Sequence, residues 1–150
     1  MAFTNEDLKK MLEECIGELT ALGCTLLPIT GISFTNRRGR CRLGFCQYDP
    51  KTQVCSRQLK RFVRDPKVRI RITGTFVKLP RREKKKLKTL VMHETIHAIE
   101  SHGIYGPGMT VHGERYDEIV RHVETSLGYR SIDDNTACGM GRFLEEEFGY

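Results

Sequence analysis

Leu90-Val91-Met92-His93-Glu94-Thr95-Ile96-His97-Ala98 places two histidines four residues apart, with a glutamate directly after the first. Residues four apart share one face of an α-helix, so both imidazoles of such a helix reach a single ion. The glutamate, one position along, can point at a water on that ion. With 5 histidines in 150 residues, and 13 glutamates, the number of such matches expected by chance is roughly 0.014. Leu87, Leu90, Val91 and Ala98 supply the apolar contacts that would bury this helix. Proline is welcome in a first helical turn, so the helix is expected from about Pro80 to near Gly103.

Working outward, Val68, Ile70 and Ile72 alternate with Arg69, Arg71 and Thr73, which predicts a strand over 68–77 with one apolar and one basic face. Residues 29–35 and 40–48 read as strands around the turn Asn36-Arg37-Arg38-Gly39. Leu8, Leu12, Cys15, Ile16, Leu19 and Leu22 form an apolar stripe that predicts a helix over 5–22, capped by Thr4 or Asn5 and ended by Gly23. Downstream, Gly103, Gly106, Pro107 and Gly108 mark a loop. A third helix is expected over 114–127, with Tyr116, Ile119, Val120, Val123 and Leu127 on its buried stripe and Gly128 at its end. The fold class is therefore α+β, with helices packed on one face of a small antiparallel or mixed sheet. One domain spans 1–150, its core about 5–128, with 129–150 as a short C-terminal extension.

Composition narrows the function classes. The apolar share is 39% and the charged share 29%, which suits a globular chain rather than a disordered one. No apolar run approaches the roughly 18 residues of a membrane helix, and no membrane partner is expected. Residues 1–7 have neither the basic region nor the apolar core of an export signal, so the expectation is a cytoplasmic protein, not a secreted one. The 6 cysteines include no Cys-x-x-Cys pair, which argues against a cysteine zinc ribbon and for reduced, buried thiols. The net charge of +6 is unevenly spread: residues 37–88 hold 19 of the 25 Lys and Arg and only Asp49, Asp65 and Glu83 as acids, a local balance of +16. Such asymmetry points to a polyanion, nucleic acid first and an anionic membrane surface second, with Arg81, Arg82, Lys84 and Lys85 as candidate phosphate contacts.

His93 and His97 need a further ligand to hold zinc with one position left for water. His112, His102, His122 and Glu118 are the candidates. The run from Val91 through His112-Gly113-Glu114-Arg115-Tyr116 resembles the SprT-like zinc metalloproteases. Their core reads H-E-x-x-H, a short variable loop, then H-G-x-x-aromatic opening a helix. The matching residues are His93, Glu94 and His97, then His112, Gly113 and Tyr116. Arg38-Gly39-Arg40-Cys41 is similar to the family's turn between strands, and Ile70-Arg71-Ile72 to its strand before the catalytic helix. The four-cysteine ribbon of many bacterial members is missing, since only Cys138 lies in the tail.

The resemblance implies a zincin-like fold with H-E-x-x-H on a central helix. It also implies one Zn2+ per chain on His93, His97 and His112, with Glu94 as general base. Protein substrates, DNA-associated ones above all, would be cleaved by a bare protease core that can associate with the nucleoid. Tyr105 or Arg115 would supply a second oxyanion donor, and the 68–77 strand an edge for an extended substrate. Two other classes remain open: a zinc peptidase with no DNA role, and a nucleic-acid-binding module with a structural zinc.

Overall fold

A computed structural model describes residues 3–35, 44–48, 53–54, 63–64, 67–99 and 114–132. Helix α1 (Asn5–Ala21) starts at a reciprocal capping box. The Asp7 amide donates to Thr4 Oγ1 at 3.3 Å, and the Thr4 amide donates to Asp7 Oδ2 at 2.8 Å. At the other end Gly23 takes the left-handed conformation (φ 87°). The Gly23 amide donates to the Thr20 carbonyl and the Cys24 amide to the Leu19 carbonyl, which satisfies the last turn. The buried face is Leu8, Met11, Leu12, Cys15 and Leu19.

Among the described residues five strands follow: β1 (Ile29–Phe34), β2 (Gly44–Tyr48), β3 (Gln53–Val54), β4 (Val63–Arg64) and β5 (Val68–Ile72). The main sheet is mixed, in the order β1-β5-β2. β1 runs parallel to β5 and β2 antiparallel to it, while β3 and β4 form a separate antiparallel pair. This corrects the expectation that the segments 29–35 and 40–48 pair with each other around a turn. β5 lies between them, because its Val68, Ile70 and Ile72 are all fully buried and a strand so apolar on one face belongs at the sheet centre. The turn residues 36–39 and Cys41 lie outside the described residues. β5 also stops at Ile72 rather than 77. The alternation breaks at Thr73-Gly74, where glycine weakens a strand. A 3-10 stretch (Gly74–Lys78) follows and buries Phe76, with Leu79 buried just beyond.

Helix α2 (Lys84–Ile96) begins later than Pro80, which instead precedes a 3-10 turn (Arg81–Glu83). It also ends well before Gly103. The Leu27 amide donates to the Ala98 carbonyl at 2.8 Å, and Leu26 bridges Ile99 in antiparallel fashion. Pairing with that segment takes the chain out of the helix just after His97. Residues 89–96 of α2 are all buried, so the second half of this helix is enclosed on every side rather than amphipathic, while Lys84 and Lys85 at its start are exposed. It packs against α1, β2 and helix α3 (Glu114–Leu127). α3 has the expected bounds and buries Tyr116, Val120 and Val123. Tyr129 packs against the core and Ile132 is fully buried, so the core reaches at least to residue 132. Among the described residues no helix is long and apolar enough to cross a membrane.

Candidate metal centre

The last turn of α2 carries His93, Glu94 and His97, which are 3, 4 and 3% exposed. Polar groups so deeply buried must be satisfied from within the protein or by a ligand. The local backbone shows how the turn is held. The last carbonyls of a helix lack intrahelical partners. Here the His97 amide donates to the Glu94 carbonyl, the Ala98 amide to that of Thr95, and the Ile99 amide to that of Ile96. The His93 carbonyl receives the Tyr116 hydroxyl at 2.9 Å. Thr95 Oγ1 donates to the Val91 carbonyl at 2.6 Å, which leaves no polar side-chain atom of that buried threonine without a bond.

The ligand atoms of His93, Glu94 and His97 all lie within 4.8 Å of one another. His93 Nε2 is 3.9 Å from Glu94 Oε1. His93 Nδ1 sits 3.1 Å from the Ile132 carbonyl. A carbonyl only accepts, so Nδ1 carries the hydrogen, and in the neutral ring the lone pair then lies on Nε2. Metal-ligating histidines are characteristically oriented by such a bond. The Tyr116 ring fixes the other imidazole: it stacks on His97 at 4.5 Å between centroids and 24° between planes. It also lies 5.3 Å from the His93 ring.

β2 forms a wall beside the carboxylate. A Cβ on Gly44 would lie 3.3 Å from Glu94 Cγ and 3.2 Å from Ile72 Cδ1, so glycine is what lets the strand come this close. Cys46, two residues along, is also near. Burial, and secondarily the Glu94 charge, pushes its thiol far above the usual range, so it stays a neutral packing group. Two imidazoles and a carboxylate on one buried helical turn, with one imidazole already oriented by a carbonyl, form a donor set that could hold a metal ion.

The structure thus brings together His93, Glu94 and His97 as the sequence predicts. His112, His102 and Tyr105 lie outside the described residues. Glu118 and His122 are exposed on α3, and Glu118 pairs with the equally exposed Arg115 at 3.5 Å, so these three project into solvent. Arg81 has a structural partner. Its guanidinium lies 3.1 and 3.3 Å from the two Asp7 oxygens and 5.2 Å over the Phe3 ring, which ties the start of α2 to the start of α1. Arg82, Lys84 and Lys85 are exposed. The 68–77 segment offers no free edge as β5, since β1 and β2 occupy both sides.

Three contributors escape the sequence reading. Gly44 carries a legible signal, since an isolated glycine in a strand marks close approach of another group. Tyr116 reads as a buried-stripe residue and as the aromatic of the H-G-x-x-aromatic pattern, but its hydroxyl contact with the His93 carbonyl has no sequence signal, and neither has the Ile132 carbonyl. Comparisons with protein-family models, with curated proteins and with solved structures find no match.

Proposed function

We propose that this chain is a zinc-dependent endopeptidase with a zincin-like, SprT-like core, acting on proteins associated with DNA. The observation that carries the reading is the buried turn on which His93, Glu94 and His97 converge within 4.8 Å. In this reading His93, His97 and His112 hold the ion. Bound zinc supplies Lewis-acid charge, which brings the pKa of a water on it to about 7 and polarises a peptide carbonyl.

The chain's own residues do the rest. The Ile132 carbonyl and the Tyr116 ring keep both imidazoles in place. Glu94 accepts a proton from the attacking water and returns it to the departing amine, so the carboxylate ends the cycle as it began. Packing by α3 and β2 shields the turn from bulk water, which strengthens each charge interaction there.

DNA enters from the +16 balance of residues 37–88 and from the exposure of Arg82, Lys84 and Lys85, with Arg81 engaged by Asp7. The test is elemental analysis beside a peptidase assay on wild type and on His112→Ala and His122→Ala. About one zinc per wild-type chain, lost in the first variant and kept in the second, supports the ligand set; the reverse pattern overturns it.

A further inference from the structure

A trough of about 800 Å3 opens between α1, the first half of α2 and the turn after α3. Its lining includes Glu18, Lys85, Lys86, Lys88, Tyr129 and Arg130, and none of the residues of the metal centre. We propose that this trough binds the sugar–phosphate backbone of a nucleic acid. For its partner the inference rests on the DNA-directed reading above, but it does not depend on peptidase activity.

Among the described residues that line the trough, the one carboxylate, Glu18, is already committed. Lys88 Nζ lies 2.8 Å from both Glu14 and Glu18, and the Tyr129 hydroxyl donates to Glu18 at 3.2 Å. On the floor the single ammonium of Lys88 is thus spent on two carboxylates, and the positive charge left for an anion lies on the rim. Lys85 and Arg130 are exposed, and no carboxylate among the described residues pairs with either. Helix polarity sharpens the point. Lys84, Lys85 and Lys86 open α2, whose first turn has no acid. A helix start is the positive end of the macrodipole, so lysines there oppose the helix, and an anion laid across them relieves that conflict.

The far wall is shaped by backbone. Gly128 (φ 77°) and Ser131 (φ 59°) are both left-handed and turn the chain where Arg130 joins Lys85 in the lining of the trough. The Tyr129 ring has the Lys88 ammonium 5.8 Å from its centre, and is half-buried, so it offers little face for a base to stack on. Recognition is accordingly of phosphates, and indifferent to base sequence.

The experiment uses the full chain and a labelled oligonucleotide of about 20 nucleotides, single-stranded and as its duplex, with anisotropy read between about 50 and 200 mM salt. Wild type is compared with Lys85→Gln/Arg130→Gln and with Lys10→Gln/Arg121→Gln, which removes equal charge from exposed positions outside the trough. Two lost phosphate contacts should make the single-strand log–log salt slope shallower by about 1.4, so that affinity changes about sevenfold less across that salt range. The duplex slope should become shallower by about 1.8. The Lys10/Arg121 pair should match wild type.

Equal effects of the two pairs, or no effect of either, overturn the trough as the site. Zinc content and melting temperature check that each variant is folded. If the double variant does not fold, Lys85→Gln alone must lose about 0.7 from the single-strand slope. Peptidase failure with trough-dependent binding would sink only the enzyme reading, and intact hydrolysis with trough-independent binding only this one.

Discussion

Gly44 is the residue at which packing and chemistry meet. The Cβ of Gly44→Ala would press on Ile72 Cδ1 at 3.2 Å, the Arg71 carbonyl at 3.3 Å and Glu94 Cγ at 3.3 Å. Ile72 can turn its terminal methyl aside, but the carbonyl of a central strand cannot move, so strain passes to Glu94. Overpacking of this kind costs about 1–3 kcal/mol. Gly44→Ala should therefore melt a few degrees lower, keep its zinc, and hydrolyse peptide more slowly than its fold loss explains. A variant that loses stability but cuts at the wild-type rate would separate the glycine from the carboxylate's placement. The two imidazoles and Glu94 were legible in the sequence, because the four-residue helical period depends on residue identity alone. The partners that aim them were not. Tyr116 reaches the His93 carbonyl across 23 positions and Ile132 reaches His93 Nδ1 across 39, and neither separation leaves a local pattern.

Among the elements, the clamp between α1 and α2 makes a prediction about acid. The Asp7 carboxyl is lowered from 3.8 to about 2, first by its hydrogen bond to Arg81 and then by the Thr4 amide. A carboxyl depressed in the fold adds stability above its unfolded pKa, and that stability is lost as pH falls toward the folded value. Urea midpoints should therefore fall between about pH 4 and about pH 2, and Arg81→Gln should flatten part of that limb. An unchanged limb in Arg81→Gln would mean that the pair contributes nothing to acid stability. The helices were well legible at this scale. α1 and α3 carry amphipathic stripes and closing glycines, and α1 a capping box, all local features. The sheet was less so. Strand order depends on which strand is most completely buried, and β5 separates β1 from β2 although those two are nearer each other in the chain. The end of α2 was illegible for the same reason, since it is set by pairing with residues 26 and 27.

For the molecule as a whole, the segment after α3 belongs to the site rather than to a loose extension. Its Ile132 side chain is fully buried and its carbonyl holds the His93 ring. These two contributions separate by mutation. Ile132→Ala keeps the carbonyl, so it should lose about 2–5 kcal/mol of stability with zinc affinity little changed in the folded state. A chain ending after Gly128 removes the carbonyl as well, and its zinc affinity should fall about 10–100-fold. Equal zinc affinity in the truncated and full chains, by competition with a chelator, would remove Ile132 from the account. The segment also forms the wall of the basic trough, so one short stretch borders both the metal turn and the proposed nucleic-acid site.

The central claim is that a metal ion and Glu94 together hydrolyse peptide bonds, and Glu94→Gln tests it most directly. Glutamine matches the carboxylate in size but does not take a proton at neutral pH. Zinc content and peptide hydrolysis should be measured side by side on wild type and on this variant. The account predicts about one zinc in each protein and hydrolysis by wild type alone. Hydrolysis by Glu94→Gln at the wild-type rate, or a wild type that binds no metal, would contradict it. Loss of zinc from Glu94→Gln would make Glu94 a ligand, the signature of a closed structural site instead of a catalytic one.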